Sequence, residues 1–409
     1  MGKDFSDVAS IMARYNEDAK EAIVFTDDDS GNEANTCEAE DEDVMEVWEW
    51  EHWNKVQPNC DCKANVFGGG IRCGQSLKSL PSGYDYHQRS TARIGSHYTQ
   101  IQDMLGKCNA GGSALERLAA VVGWSISTTR PLIFGAFPYN PILGETHHVS
   151  RGTLNVLLEQ VSHHPPVAAL HATDETHNIE MIWCHHLSPK YRGTSVETEM
   201  CGKREVKLLN HGETYVMNCP SLVFKFIPTK AFEWSGKVKI QCQETALTAE
   251  ISYKGLSFLG RKSNSRSING NIFPQSSLST KNLGDIDGQW DRSVTLKYHN
   301  GNTKVIYNAN EVISNLKTPV VVDPKGVKAT ESAKVWGEVS QGILSKDWKK
   351  AKKAKMAVEE RQRELAKERE SRKQTWVPKH FKVSYSKENG WDCSPIQPTV
   401  PPAPIVVPI

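Results

Sequence analysis

The spacing of apolar positions divides the chain into three kinds of stretch. From Ser96 to Thr129 it is helical: Ile101, Met104 and Leu105 share one face, and Leu115, Leu118, Val121 and Val122, followed by Trp124, share another. Gly111-Gly112-Ser113 separates the two predicted helices, with Ser113 placed to cap the second and Glu116 at its third position. From about Leu132 to Tyr307 the period shortens to two. Val206 and Leu208, Tyr215 and Met217, Val238, Ile240 and Cys242, Ile251 and Tyr253, and Val294, Leu296 and Tyr298 alternate with polar residues. Turn residues punctuate these runs at intervals of roughly 8–12 residues, which predicts a large antiparallel sheet or barrel. Asn210-His211-Gly212 and Asn300-Gly301-Asn302 read as hairpin corners, and the polar insert from Gly260 to Ser279 as a long loop. From Glu331 the period is helical again: Trp336, Val339, Ile343 and Leu344 form one face, and Ala351, Ala354, Val358 and Leu365 a narrower stripe. Trp376-Val377-Pro378 ends that helix. Ser394–Ile409 carries six prolines and reads as an extended tail.

The fold class expected is α+β, mainly β. The domain plan is an acidic, mostly disordered region over 1–60, a folded body over 61–390 and a proline-rich tail over 391–409. Within the body, helices span about 99–129, a barrel about 130–308 and C-terminal helices about 331–375. One barrel of this size suits the enclosure of a single apolar ligand, because large barrels keep an interior that side chains do not fill.

Charge adds an asymmetry. The formal net charge is +1, which argues against a dedicated nucleic-acid binder. Yet Glu21–Glu49 holds many acids and no Lys or Arg, whereas in Lys346–Lys373 bases outnumber acids about two to one. A basic segment of that kind either attracts anionic lipid surfaces or forms a solvated helix face. No apolar run reaches the roughly 18 residues of a membrane-spanning helix. Met1–Ser6 lacks an apolar signal core and matches the myristoylation pattern only loosely through Gly2 and Ser6. Without a secretory signal the ten cysteines are expected as thiols, and Cys60-x-Cys62 lacks the spacing and second pair of a structural zinc site.

The candidate chemistry concentrates in Glu159-Gln160-Val161-Ser162-His163-His164-Pro165-Pro166. The prolines fix φ and remove two backbone donors, and His164 is pushed toward an extended conformation by the proline after it. Two imidazoles are thus presented stiffly at the end of a predicted strand, Leu154–Leu158. Fixed imidazoles suit metal ligation, acid–base catalysis or capture of an anion such as phosphate. His147-His148 and His185-His186 are two further pairs. A metal enzyme would use such residues with a carboxylate, but neighbours on a strand point to opposite faces, so each pair offers one ligand at most. No Gly-x-Ser-x-Gly elbow and no phosphate-binding loop is present, and a Ser162–His163 dyad is sterically poor. Lys355, Glu359 and Arg363, four apart on the C-terminal helix, share one face and offer charge to an anion or form a solvated salt-bridge stripe.

The octapeptide, together with Tyr139–Thr146, Val335-Trp336, Lys355-x-x-x-Glu359-Glu360-x-Gln362-Arg363 and Trp376-x-Pro378-x-x-Phe381, resembles the lipid-binding core of oxysterol-binding-protein-related proteins over roughly residues 75–385. The resemblance is to short, core-only members such as those of plants. It implies an incomplete antiparallel β-barrel around an apolar tunnel, closed by an N-terminal lid at about 65–98. It implies non-enzymatic binding and transfer of a sterol or similar lipid, exchanged for phosphatidylinositol 4-phosphate, with no metal and no cofactor. Carried over by motif, His163 and His164 would bind the 4-phosphate, Lys355 and Arg363 would assist with Glu359 orienting them, and Asn140 would donate to the inositol-linked phosphate. The family's Lys before the Pro-aromatic-Asn-Pro run is missing from Gly135–Asn140, a loss of about 1.5–3 kcal/mol for one charged hydrogen bond unless Lys334 or Lys353 substitutes. The partners implied are membrane lipids and anionic membrane surfaces, for a cytoplasmic protein peripheral to the endoplasmic reticulum or other membranes. Val24–Asp29 is a faint match to tracts that bind an endoplasmic-reticulum adaptor. Two rival functions are a lipid sensor or scaffold without net transport and a metal-dependent hydrolase built on the histidine pairs.

Overall fold

The computed structural model describes residues 102–129, 139–192, 195–225, 231–255, 266–275, 282–314, 317, 319–388 and 390–409. The acidic region, the lid segment, the Cys60-x-Cys62 pair, the adaptor-like tract and the Gly135–Phe137 stretch lie outside the described residues.

Helix α1 (Gln102–Asn109) leads to α2 (Ala114–Ser127). The Ser113 hydroxyl accepts from the Glu116 amide, and the Glu116 carboxylate accepts from the Ser113 and Gly112 amides, so the expected capping box is formed. The second half of α2 is buried on every side, from Val121 to Ser127. It packs so closely on a strand that a Cβ at Gly123 would meet the Ile306 carbonyl oxygen at 2.1 Å, which demands glycine there.

The strands β1 (Thr146–Arg151), β2 (Leu154–Ser162), β3 (Val167–Asp174) and β4 (Ile179–Tyr191) run as an antiparallel meander. The long β4 is shared: its first half pairs with β6 (Arg204–Leu208) and its second with β5 (Ser195–Cys201). After β7 (Glu213–Met217) and β8 (Ser221–Lys225), β9 (Ala231–Cys242) is shared in the same way between those two. β10 (Leu247–Lys254), β11 (Ser267–Pro274), β12 (Gly284–Gln289), β13 (Ser293–Tyr298) and β14 (Thr303–Asn308) extend the meander. The result is one 16-stranded sheet whose path ends at β14 on one side and β15 (Val320–Val321) on the other, an incomplete barrel.

The alternation seen in sequence sets which face is covered. Val206, Leu208, Tyr215, Met217, Val238, Ile240, Cys242, Ile251, Tyr253, Val294 and Leu296 all join α1 and α2 in one apolar cluster. The polar insert at Gly260–Ser279 is not simply a loop, because it contains β11. Ile268 and Ile272 are buried there, and a Cβ at Gly270 would meet the Glu250 carbonyl at 2.1 Å. The strand was hidden because its outward positions are Asn and its close approach requires Gly, both rare in strands.

Beyond β14 come α3 (Ala309–Ser314), α4 (Ser332–Val335), α5 (Gly337–Leu344) and the 24-residue α6 (Trp348–Ser371). Trp336, Val339, Ile343, Ala351 and Ala354 form a second cluster with Tyr139, whereas Leu344 is exposed. A hairpin of β16 (Phe381–Ser386) and β17 (Gly390–Pro395) then covers the outer face of β2 to β4, with Phe381, Val161, Val167, Ala169 and Cys184 between the layers. β3 is therefore buried on both faces. The proline-rich end is extended but not a separate tail. Its β18 (Ile405–Val406) inserts between β1 and β15, parallel to one and antiparallel to the other. The amides of Val400, Ala403 and Val407, which fall between the prolines, donate to Thr173 Oγ1, Ser150 Oγ and the Ser150 carbonyl at 2.9, 2.8 and 2.8 Å.

Ile405 is 3% exposed. Ile405→Ala is expected to lower the free energy of unfolding by about 2–5 kcal/mol in denaturant titrations, the cost of emptying a core site. A free tail would show a change within about 0.5 kcal/mol.

Candidate functional site: a cationic cleft beside the end of β2

The cleft begins with an irregularity in β2. The register slips between Gln160 and Ser162, and the extra residue, Val161, turns into the layer under the hairpin. The Gln160 side-chain amide donates to the Ser162 carbonyl at 2.9 Å and closes the bulge. The chain then leaves the strand and turns through His163–Pro166, with a cis peptide between His164 and Pro165. Strand geometry would send the two imidazoles to opposite faces. Because they lie in the turn, their rings instead meet edge to face, with centroids 4.6 Å apart. His163 Nδ1 lies 3.0 Å from the Pro141 carbonyl oxygen, which can only accept, so Nδ1 carries a proton.

Two buried carboxylates hold this turn to the rest of the cleft. Glu159 has no exposed surface, and its two oxygens accept from the backbone amides of Lys379 and His380, each at 2.8 Å. Burial raises its pKa above the ordinary carboxylate value, and those two amides offset only part of the rise. Glu145 accepts from the Ile142 amide and the Trp336 indole, each at 3.0 Å, and from the Ser332 hydroxyl. The Gly144 amide donates to the Gln160 carbonyl and the Gln160 amide to the Glu145 carbonyl, each at 2.8 Å. Gly144 sits at φ +77°, and a Cβ there would strike the Trp376 ring at 2.6 Å. Four of the five short motifs read in the sequence are thus one set of joints: Glu145 binds Tyr139–Thr146 to Trp336, Glu159 binds the histidine turn to Lys379-His380, and Gly144 admits Trp376.

These joints enclose a cleft of about 490 Å³. Asn140, His163, His164, Glu359 and Arg363 line it together. Lys355 does not reach its wall; it lies one turn back on α6, with Nζ 3.6 Å from Glu359. Arg363 donates to Glu360 at 3.0 Å. Both pairs are partly solvated, so each contributes at most about 1 kcal/mol and serves orientation more than stability. Neither Lys334 nor Lys353 lines the cleft, and Lys334 Nζ is held by the Val327 carbonyl. Sequence reasoning missed Gln362, Ala366, Arg369 and Trp376. The helical ones were within reach, since 359, 362, 363, 366 and 369 fall on one face of a helix.

The other histidine pairs are used separately. His147 Nδ1 meets Glu331 at 2.7 Å, and His148 Nε2 meets the Pro401 carbonyl at 2.8 Å. His185 stacks on Trp183 with centroids 4.3 Å apart and lies 3.6 Å from Cys219 Sγ. Among the described residues, no group of three or more His, Cys, Asp or Glu side chains is placed to hold a metal ion. None of the described helices is long and apolar enough to cross a membrane.

The family profile described as oxysterol-binding protein matches residues 87–396. The chain is 53% identical over 310 residues to oxysterol-binding protein-related protein 4C of Arabidopsis thaliana, a span that covers 75% of this chain and 81% of that one. It is 28% identical over 347 residues to oxysterol-binding protein-related protein 8 of Homo sapiens, covering 82% of this chain and 37% of that one. The fold is similar to the crystal structure of the Osh1 ORD domain in complex with ergosterol, with a TM-score of 0.63 at 18% identity over 88% of this chain and 96% of that one. It is also similar to that of the Osh3 ORD in complex with PI(4)P from Saccharomyces cerevisiae, with a TM-score of 0.59 at 19% identity over 80% and 87%. The chain belongs to the oxysterol-binding protein family.

Burial lowers the pKa of His148, His185, His186 and His380 below the ordinary 6.5, aided by Arg204 at His185 and chiefly by Lys328 at His380. The unfolded chain therefore binds more protons as the pH falls through about 6.5, and the stability present above that value is lost below it. The denaturant midpoint is expected to drop between about pH 7 and pH 5. A midpoint that stays constant or rises would contradict these assignments.

Proposed function

We propose that this protein binds a sterol or similar lipid and carries it between membranes, exchanging it for phosphatidylinositol 4-phosphate. One observation carries the headgroup half of this reading. His163 and His164 stand side by side in a cleft that also holds Arg363 and Asn140. Imidazole and guanidinium N–H groups give short, charge-assisted hydrogen bonds to phosphate. In this reading the two imidazoles and Arg363 take the 4-phosphate, and Asn140 donates to the inositol-linked phosphate. Glu359 orients Arg363 from the adjacent turn, and Lys355 steadies Glu359 from outside the cleft wall.

The relatives support the lipid half. Osh1 and Osh3 domains of the same fold were crystallised with ergosterol and with PI(4)P. The incomplete barrel with its apolar cluster is the architecture that can shelter an apolar body from water. Such a protein is a carrier and not an enzyme: it lowers the barrier to moving an insoluble lipid through water. It would work from the cytoplasm, peripherally, on the endoplasmic reticulum or other membranes. Its partners would be membrane lipids and anionic membrane surfaces, with an endoplasmic-reticulum adaptor through Val24–Asp29.

The double variant His163→Ala, His164→Ala should lose phosphatidylinositol 4-phosphate extraction from liposomes, by tenfold or more for two charged hydrogen bonds, while sterol uptake persists. Undiminished phosphoinositide extraction by that variant would overturn the site assignment. Binding by the unaltered protein without net liposome-to-liposome transfer would make it a sensor instead of a carrier.

A further inference from the structure

Arg369 stands out among the arginines at the C-terminal end of α6. Arg361, Arg363 and Arg372 each reach a glutamate on the same helix, at 2.9, 3.0 and 2.8 Å. Residues three and four positions from Arg369 are Leu365, Ala366, Arg372 and Lys373, so no acid lies at ion-pair spacing. Among the described residues its guanidinium makes no ion pair or side-chain hydrogen bond. It lies instead over an aromatic face, with Cζ 5.7 Å from the centroid of the Trp376 ring. Both residues line the cleft that holds His163 and His164.

Trp376 is itself fixed. Its ring is seated where a Cβ of residue 144 would otherwise stand, at 2.6 Å, so the platform cannot shift toward the barrel. A guanidinium laid on such a platform keeps its edge N–H groups for another acceptor, and that edge is planar and suited to two oxygens of one phosphate. Among the described residues Glu359 is the one acid on the cleft wall, and it is paired with Lys355, so none of them sets a competing anion beside Arg369. Arg363 and Arg369 are six residues apart, about 9 Å along the helix axis. One ring bearing two phosphates can bridge that span.

We propose that Arg369, held on Trp376, forms a further cationic phosphate subsite in this cleft, beside the group of His163, His164 and Arg363 that takes the 4-phosphate. The inference rests on the reading of the cleft as a headgroup site. The phosphate it takes is either the diester that joins inositol to glycerol, held together with Asn140, or a further phosphate on the ring.

Calorimetric titration of the full chain with inositol 4-phosphate, inositol 1,4-bisphosphate and inositol 1,4,5-trisphosphate tests it. The unaltered protein should bind at least one polyphosphate about 10- to 100-fold more tightly than the monophosphate, the gain of a charged, two-point contact. Arg369→Ala should erase that preference and leave monophosphate binding within about twofold, and Arg369→Lys should keep part of it. A gain already present for the bisphosphate assigns the subsite to the diester position; a gain for the trisphosphate alone assigns it to the ring. Equal binding of all three by the unaltered protein, a preference that survives Arg369→Ala, or an equal loss for all three would overturn the subsite. Failure of the unaltered protein to bind any of them, or undiminished binding of all by His163→Ala, His164→Ala, would instead overturn the headgroup reading and the subsite with it.

Discussion

Glu159 is a carboxylate with no access to water, at the end of a strand whose outer face is covered. Such a group is tolerated only if its oxygens find donors. It finds them 220 and 221 residues away, in the amides of Lys379 and His380. Each bond to a charged acceptor is worth about 1.5–3 kcal/mol, and leaving either partner buried alone would cost a comparable amount. The constraint therefore works in both directions. The C-terminal segment must lie against the end of β2, and the turn carrying His163 and His164 must stay where that segment holds it. Glu145 repeats the device one layer over, joining Ile142, Ser332 and Trp336. The cleft is what remains between these joints.

Much of the barrel was legible because its strands are half covered, and a half-covered strand has to alternate. The pairs at 206/208, 215/217, 238/240/242, 251/253 and 294/296 all face one cluster. What escaped was structure whose residues are chosen by something other than burial. In β11, Gly270 answers a close backbone approach. In β18 the prolines hid a strand, yet the amides the fold needs, at Val400, Ala403 and Val407, are the ones the prolines leave in place.

The site was legible in part. Asn140, His163, His164, Glu359 and Arg363 do share one cleft, and the resemblance of short motifs to a known family brought them together. The rule that neighbouring strand residues diverge separated His163 from His164 because it was applied one residue beyond the end of the strand. The series of fours from Lys355 pointed along the helix correctly, but the part of that face that lines the cleft is shifted along the axis: it begins at Glu359, one turn past Lys355, and runs on to Arg369. Trp376 was visible as a helix stop; only its contact with Gly144 shows that it is also a wall.

The central claim is that one buried carboxylate joins the C-terminal segment to the histidine turn and so builds the cleft. Hydrogen–deuterium exchange of Glu159→Ala, followed at the amides of Lys379, His380 and the residues around His163, tests it most directly. The account predicts that protection is lost at 379 and 380 and falls at the histidine turn, while β9 and β10 stay protected. Unchanged protection at 379 and 380, with the turn equally unaffected, would contradict it.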